Sequence, residues 1–403
     1  MAAWRSNIYL LWLGQFISTA GLMVLVPLLP LYLAEIGGVH GPGDWLWTGL
    51  SLAAPAIMLG VSAPLWGRLG DRWGRKWMIA RALCGLGLSM ILMSLVRSPL
   101  ELFLCRLFQG ACGGVVEAAA AYASAEAPPE QRGRSLGLLQ SASAAGSLAG
   151  PLLGGLLVNV WGLRPLLLAA GLLTCCVSLA VAWLLTERQQ PAAEAAPAVP
   201  IRGAFATLMR RRQARDLVVA GLFAQAGAYG LVAIFAPHVQ RLVADPSSTA
   251  GWVGALQAVT WAATLCGAPW WGRRNDRRPI EQSFALAACG CAISIVCQAW
   301  MPHVALLFPL RMIQGFCFSA LLQSVYLRIS QIAGERGQGV QIGVANSFLT
   351  FGQVLGSLGG ALFAGVLDPQ WAFALIAGSF ALSAALAWRH DLPLAQSYKG
   401  VTQ

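Results

Sequence analysis

Long apolar runs alternate along the chain with short polar segments rich in Arg, Gly and Pro. A helix that crosses the hydrocarbon core of a bilayer needs about 20 predominantly apolar residues. The pattern therefore predicts an all-α membrane protein with twelve transmembrane helices. The expected spans cover residues 8–33, 45–66, 77–96, 100–123, 135–159, 164–185, 215–240, 249–271, 281–301, 304–327, 338–365 and 370–388.

The composition excludes a soluble protein of this length. Of the 403 residues, 57% are hydrophobic and 11% are charged, whereas a soluble domain has about one quarter charged residues. All ten cysteines lie inside apolar runs, so we interpret them as packing residues rather than as disulfides or zinc ligands. The first span is followed by further spans rather than by a cleavage site, so we expect no cleaved signal peptide.

The basic residues are distributed unevenly between the two sets of loops. One set, which includes both termini, holds 22 of the 27 Lys and Arg residues, and the other set holds Arg97, Arg164 and Arg241. Basic loops stay in the cytoplasm, so both termini are predicted to be cytoplasmic. The net charge of +11 therefore reflects membrane topology, and we expect a lipid bilayer rather than nucleic acid as the partner.

A polar segment divides the twelve spans into six and six. It is rich in Pro and Ala and ends in a run of arginines, as expected for a tether held near anionic lipid. The predicted organisation is an N-terminal six-helix bundle at 1–186, a cytoplasmic linker at 187–214 and a C-terminal six-helix bundle at 215–403.

The two halves also repeat one another at an almost constant offset of 205 residues, which is typical of a duplicated bundle with parallel repeats. The repeated positions are Arg106, Gln109 and Gly110 with Arg311, Gln314 and Gly315; Gly67, Asp71 and Arg72 with Gly272, Asp276 and Arg277; and, one residue later in register, Gly137, Gly146 and Gly150 with Gly343, Gly352 and Gly356.

Three ordered motifs carry a family resemblance. They are GRLGDRWGRK (Gly67 to Lys76), RLFQG (Arg106 to Gly110) and GLLQSASAAGSLAGPLLGG (Gly137 to Gly155). Together they resemble the major facilitator superfamily, and the third motif is similar to that of the twelve-helix drug/proton antiporter branch. Its key positions are Gly137, Gly146, Gly150, Pro151, Gly154 and Gly155.

The resemblance implies a monomeric secondary transporter of the bacterial cytoplasmic membrane, built from two pseudo-symmetric bundles. It also implies a cytoplasmic gate in which Asp71 caps a helix of the opposite half and Arg72 or Arg75 pairs with Glu126. The second copy, GRRNDRRP, lacks the later Gly-Arg pair. The gate residues on this interpretation are Gly67, Asp71, Arg72, Gly74, Arg75, Glu126, Asp276 and Arg277.

Three charged residues fall well inside the spans: Arg106, Glu117 and Arg311. Charged side chains are energetically expensive there and mark functional candidates. On a continuous fourth helix, Arg106 and Glu117 share one face and lie about 16 Å apart along the axis. We interpret Glu117 as the proton carrier, and the resemblance implies that Arg106 assists it. Alternatively, Glu117 only hydrogen-bonds in a wet vestibule, and Arg106 and Arg311 are structural or clamp an anionic substrate bidentately.

These observations predict a secondary transporter that exports small amphipathic molecules in exchange for protons. Many drug antiporters have an acidic residue in the first helix, where this chain has Gln15. One alternative is therefore an exporter of an anionic metabolite such as a carboxylate siderophore. A second alternative is a non-transporting membrane sensor or scaffold. No catalytic constellation, nucleotide loop or metal cluster points to an enzyme or a cofactor. The substrate-binding candidates are Gln15, Arg106, Gln109, Glu117, Gln225, Tyr229, Arg311 and Gln314.

Overall fold

The computed structural model describes residues 3–37, 44–126, 128, 131–187, 201–333 and 338–388, and these residues form a helical protein. The first half contains α1 (Ala3–Leu25), α2 (Leu29–Gly37), α3 (Asp44–Trp73), α4 (Arg75–Leu95), α5 (Pro99–Ala111), α6 (Val115–Glu126), α7 (Arg132–Trp161) and α8 (Leu163–Leu184). The second half contains α9 (Ile201–Arg210), α10 (Arg212–Leu242), α11 (Thr249–Asn275), α12 (Ile280–Ala299), α13 (Leu307–Ala333), α14 (Gln338–Val366) and α15 (Pro369–Trp388).

Each of the twelve predicted spans coincides with a helix or a pair of consecutive helices. In the described part of the chain, eleven spans are long and apolar enough to cross a membrane. The twelfth is α11, which has 27 residues and is less apolar because it contains several tryptophans and has Arg273 and Arg274 in its last turn. The prediction of an all-α membrane protein is confirmed.

The fourth span is interrupted, which corrects the prediction of one continuous helix. Helix α5 ends at Ala111 and α6 begins at Val115, and Gly114 between them has φ +101°. That left-handed conformation is accessible to glycine at little cost. Arg106 and Glu117 therefore lie on two separate helices, and the inference that they share one helix face is wrong.

Glycines set the packing within each bundle. A Cβ on Gly146 would lie 2.8 Å from the carbonyl oxygen of Phe16 in α1, and a Cβ on Gly150 would overlap the carbonyl of Ala20. In the second copy, Gly352 of α14 packs in the same way against the backbone of α10. Small residues let membrane helices approach this closely, so backbone packing holds them together.

The two bundles meet through α7 against α11 and through α3 against α14. We call the end of the molecule at Gly74 and Glu187 the basic face, and the other end the opposite face. Near the opposite face, a Cβ on Gly155 would lie 2.7 Å from the carbonyl oxygen of Ala250 in the other bundle. Towards the basic face, Gly137 and Gly343 are exposed, with no atom within 4 Å of a built Cβ. The bundles therefore pack tightly at the opposite face. Towards the basic face they leave open space at Gly137 and Gly343, which we call the vestibule.

The predicted linker contains a helix that packs on the C-terminal bundle. Helix α9 lies against α14 and α10, its Leu208 is fully buried, and the rings of Phe205 and Phe348 stack with centroids 6.0 Å apart. The linker residues 188–200 lie outside the described residues. Sequence composition did not indicate the packed helix.

Gly110→Ala tests the packing within the N-terminal bundle. A Cβ on Gly110 would overlap the backbone of Pro55, and overpacking of this kind costs about 1–3 kcal/mol. We expect a clearly lower melting temperature for the purified protein in detergent. Gly137→Ala is the matched control, because its Cβ would meet open space. Equal melting temperatures for the two variants would contradict this packing.

Candidate functional site

A buried arginine lies in the N-terminal bundle at the fourth span. Arg106 is 3% exposed, its Nε donates to the carbonyl oxygen of Ser51 at 2.9 Å, and its Nη1 donates to Gln109 Oε1 at 2.7 Å. Tyr229 of the C-terminal bundle lies close enough to interact with this guanidinium electrostatically. The structure thus brings together two predicted candidates from different bundles.

The second buried arginine, Arg311, occupies the equivalent place in the C-terminal bundle. It is also 3% exposed. Its Nη1 donates to Gln314 Oε1 at 3.0 Å and its Nη2 to Gln257 Oε1 at 2.5 Å, while the guanidinium lies 4.0 Å from the centre of the Phe235 ring. Among the described residues, neither Arg106 nor Arg311 forms an ion pair with a carboxylate.

A cavity of about 320 Å³ lies between α1, α6 and α7, and Gly137 is one of the residues that line it. Gln15 and Gln140 line it. Gln15 is 1% exposed, and its Nε2 donates to Ser143 Oγ at 2.5 Å. The predicted polar position in the first helix therefore borders a cavity, whereas Gln225, another candidate, is buried in α10.

Glu117 is exposed at the start of α6, next to this vestibule. Tyr326 of α13, in the other bundle, lies near this carboxylate, and the Tyr326 hydroxyl donates to Asn346 Oδ1 at 3.2 Å. The carboxylate thus faces the second bundle from a position in the middle of the fourth span. This exposed position differs from the dry burial expected from the sequence.

The N-terminus of α4 binds a carboxylate, and the sequence did not indicate this contact. The backbone N–H of Arg75 donates to Glu187 Oε1 at 2.9 Å, and that of Lys76 donates to Oε2 at 3.1 Å. Gly74 has φ +89°, and a Cβ on it would lie 2.8 Å from Glu187 Oε2. Free N–H groups and the helix dipole make a helix N-terminus favourable for an anion. Arg75 therefore binds the Glu187 carboxylate through its backbone N–H group.

The rest of the predicted gate is described only in part. The side chains of Asp71 and Arg72, together with Gly67, lie outside the described side chains, and Glu126 is the last residue of α6. In the second copy, Asp276 and Arg277 are exposed beyond the end of α11. A different ion pair, Arg328 Nε to Glu281 Oε1 at 2.8 Å, joins α13 to α12 nearby.

Replacing Glu187 with Ala tests the contact at the start of α4. Loss of a helix-capping group costs about 0.5–2 kcal/mol, so we expect faster hydrogen exchange at the amides of Arg75 and Lys76 and a modest fall in melting temperature. Glu187→Gln keeps an acceptor oxygen, so its amide exchange rates and melting temperature should lie between those of the wild type and those of Glu187→Ala. Unchanged exchange at both amides in Glu187→Ala would show that the contact does not form.

A family model described as Major Facilitator Superfamily matches residues 11–303 and 217–400. The chain belongs to the major facilitator superfamily. The "Staphyloferrin B transporter" of Staphylococcus aureus (strain NCTC 8325 / PS 47) is 38% identical over 385 residues, which cover 94% of this chain and 91% of that protein. The "Multidrug resistance protein MdtG" of Citrobacter koseri is 29% identical over 96% of this chain and 95% of its own.

Solved structures share the fold at low identity. A bacterial homologue of the human lysosomal transporter Spinster, in an inward-facing and occupied conformation, superposes with a TM-score of 0.77 at 15% identity, covering 96% of this chain and 97% of that one. The nucleoside transporter NupG gives a TM-score of 0.71 at 15% identity over 95% and 98% of the two chains. This major facilitator protein is therefore a membrane transporter, and the alternative of a non-transporting sensor or scaffold is not supported.

Proposed function

We propose that this transporter exports a small polycarboxylate anion, of the carboxylate siderophore class, in exchange for protons. The observation that carries the proposal is the pair of buried arginines, Arg106 and Arg311, which have no carboxylate partner among the described residues. Each bundle contributes one of them, and the proposal requires that at least one of the two guanidiniums binds the anion.

Uncompensated charge in a membrane protein's interior is expensive, and intramembrane ionisable residues usually serve a pathway or a ligand. A guanidinium matches the planar geometry of a carboxylate and binds it through two parallel hydrogen bonds. Similarity to a protein named for staphyloferrin B transport supports an anionic siderophore as the cargo. Together these observations favour the alternative substrate class over the amphipathic drugs first expected from sequence.

Proton exchange is assigned to Glu117. Its carboxylate is accessible from the vestibule and lies near Tyr326 of the other bundle. When the bundles close around Glu117, loss of water favours the neutral acid, and opening to an alkaline compartment favours release of the proton. Protonation at the acidic side would thereby be linked to the change of access, and the entering protons would drive the anion outward.

The orientation follows from the charge of the loops. Loops rich in Lys and Arg stay in the cytoplasm. We therefore place the basic face, with both termini, on the cytoplasmic side of a bacterial inner membrane, because the loops on that side hold most of the Lys and Arg residues. The vestibule then opens to the cytoplasm and the tight contacts at the opposite face close the external side. The protein acts as a monomer, since each chain contains both bundles.

Export of amphipathic drugs is a second candidate, favoured by the aromatic surface of α1. The rings of Trp12 and Phe16 stack with centroids 5.4 Å apart, and Trp12 Nε1 donates to Ser141 Oγ at 3.1 Å. Aromatic and weakly polar groups of this kind suit amphipathic ligands. The similarity to MdtG proteins points the same way.

Ligand-dependent stability of the purified protein distinguishes the two substrate classes. Ligands that bind the folded state but not the unfolded state raise the melting temperature, and the rise grows with the logarithm of the ligand concentration relative to Kd. We expect citrate and a citrate-based siderophore to raise it, and ethidium to leave it unchanged. Stabilisation by ethidium alone would favour drug export and overturn the proposal.

A further inference from the structure

The two bundles repeat one hydrogen-bond framework around their arginines. Trp66 Nε1 donates to the carbonyl oxygen of Ala111 at 2.6 Å, and Trp271 Nε1 donates to that of Phe316 at 2.9 Å. Both the donors and the acceptors are separated by the repeat offset of 205 residues. Because the two frameworks match, the hydrogen bonds of Arg106 and of Arg311 can be compared position by position.

The bond that anchors Arg106 is missing at Arg311. Arg106 Nε donates to the carbonyl oxygen of Ser51. In the second copy the equivalent carbonyl belongs to Leu256 and accepts from Thr260 Oγ1 at 2.8 Å. Arg311 Nε is therefore buried without a hydrogen-bond partner in the described structure.

Polar side chains surround Arg311 where the first copy has apolar ones. Gln257, which bonds to Arg311, stands at the position of Leu52. Gln298, at the position of Met93, donates through Nε2 to Gln314 Oε1 at 3.0 Å. The C-terminal bundle therefore has hydrogen-bonding side chains around its arginine at two positions where the N-terminal bundle has apolar side chains.

Trp261 lies one helical turn beyond Gln257 on α11, and its indole Nε1 is also buried without a partner in the described structure. Unsatisfied buried donors are rare in native proteins, and each one calls for an explanation. Two such donors lie on the packed helices α11 and α13, and the one on a guanidinium favours an acceptor that carries negative charge.

We propose that Arg311 and Gln257 bind a carboxylate of the transported anion, with Trp261 supplying a further donor, whereas Arg106 holds α5 against α3. This assignment rests on the proposed function, since it takes a polycarboxylate as the substrate. Phe235 covers one face of the guanidinium, which leaves its edge, with the free Nε, for the carboxylate. An anion bound there is held by the C-terminal bundle alone.

Gln257→Glu is the sharpest test. The new carboxylate would pair with Arg311, neutralise its charge and repel the substrate's carboxylate, while the side-chain volume stays almost the same. In proteoliposomes with an acidic lumen, we expect at least a ~10-fold increase in KM for citrate or a citrate-based siderophore. Folding should be retained, with a melting temperature equal to or above that of the wild type and no further rise on adding citrate.

Arg311→Lys and Arg106→Lys form the matched pair. Lysine keeps the charge but loses the bidentate geometry, so Arg311→Lys should raise KM with little change in kcat. Arg106→Lys should lower the melting temperature and leave KM unchanged. An unchanged KM in Gln257→Glu, or a raised KM in Arg106→Lys alone, would overturn the assignment while the proposed function stands. Wild-type protein that transports ethidium but no polycarboxylate would overturn both.

Discussion

Replacing Glu117 with Gln abolishes proton-driven export and leaves folded protein in the membrane. Glutamine keeps the size and the hydrogen-bonding capacity of the side chain but cannot take up or release a proton. Glu117 is exposed to the vestibule, so the substitution has no buried packing to disturb. We expect pH-driven transport in proteoliposomes to fall by at least ~100-fold, the lower end of what one well-placed proton-transfer group contributes.

Substrate exchange without a pH gradient separates coupling from binding. The Glu117→Gln protein should still exchange labelled for unlabelled substrate across the membrane, because the anion site does not include this carboxylate. Glu35→Gln, at an exposed position in α2, is the control and should transport as the wild type does. Wild-type rates of pH-driven export in Glu117→Gln would show that the coupling group lies elsewhere.

Replacing Gly254 with Leu stops transport by preventing closure at the opposite face. A Cβ on Gly254 would overlap the carbonyl of Pro151 and lie 2.8 Å from Gly155 Cα. Both neighbours are backbone atoms of the other bundle, so no side chain can move aside. Alternating access requires this face to close in one half of the cycle, and we expect export to fall at least ~10-fold.

The melting temperature of Gly254→Leu should change less than that of Gly110→Ala, since Gly254 lies between the bundles and Gly110 lies within one. Gly378→Leu is the control for added volume, because a built Cβ there meets no atom within 4 Å and its helix, α15, packs against α12 and α10 of its own bundle. Normal export by Gly254→Leu would contradict the view that backbone contact at this position closes the external side.

Hydrophobic patterning and the internal repeat predicted the fold because both are properties of local sequence. Apolar length defines each span, and the 205-residue offset relates Arg106 to Arg311 without any knowledge of tertiary contacts. The break in the fourth span was missed, although Gly113 and Gly114 are adjacent in the sequence. Apolar content alone does not distinguish one membrane-spanning helix from two consecutive ones.

The candidate site was predicted less completely, because its chemistry depends on contacts between distant segments. Sequence identified the two arginines and Glu117 as charged groups in apolar surroundings. It did not indicate that Glu187 would reach the start of α4, since its carboxylate lies in a loop more than a hundred residues away. The different surroundings of the two arginines likewise appear only when the hydrogen bonds of the two bundles are compared.

The most direct test of the transport mechanism uses purified protein in liposomes with an acidic lumen and a neutral exterior. Citrate and a citrate-based siderophore are added outside in one series and ethidium in another, while the lumenal pH is recorded. The account predicts that the polycarboxylates cause protons to leave the lumen as substrate enters, and that Glu117→Gln shows no such response. Proton release with ethidium only, or polycarboxylate entry without proton release, would contradict it.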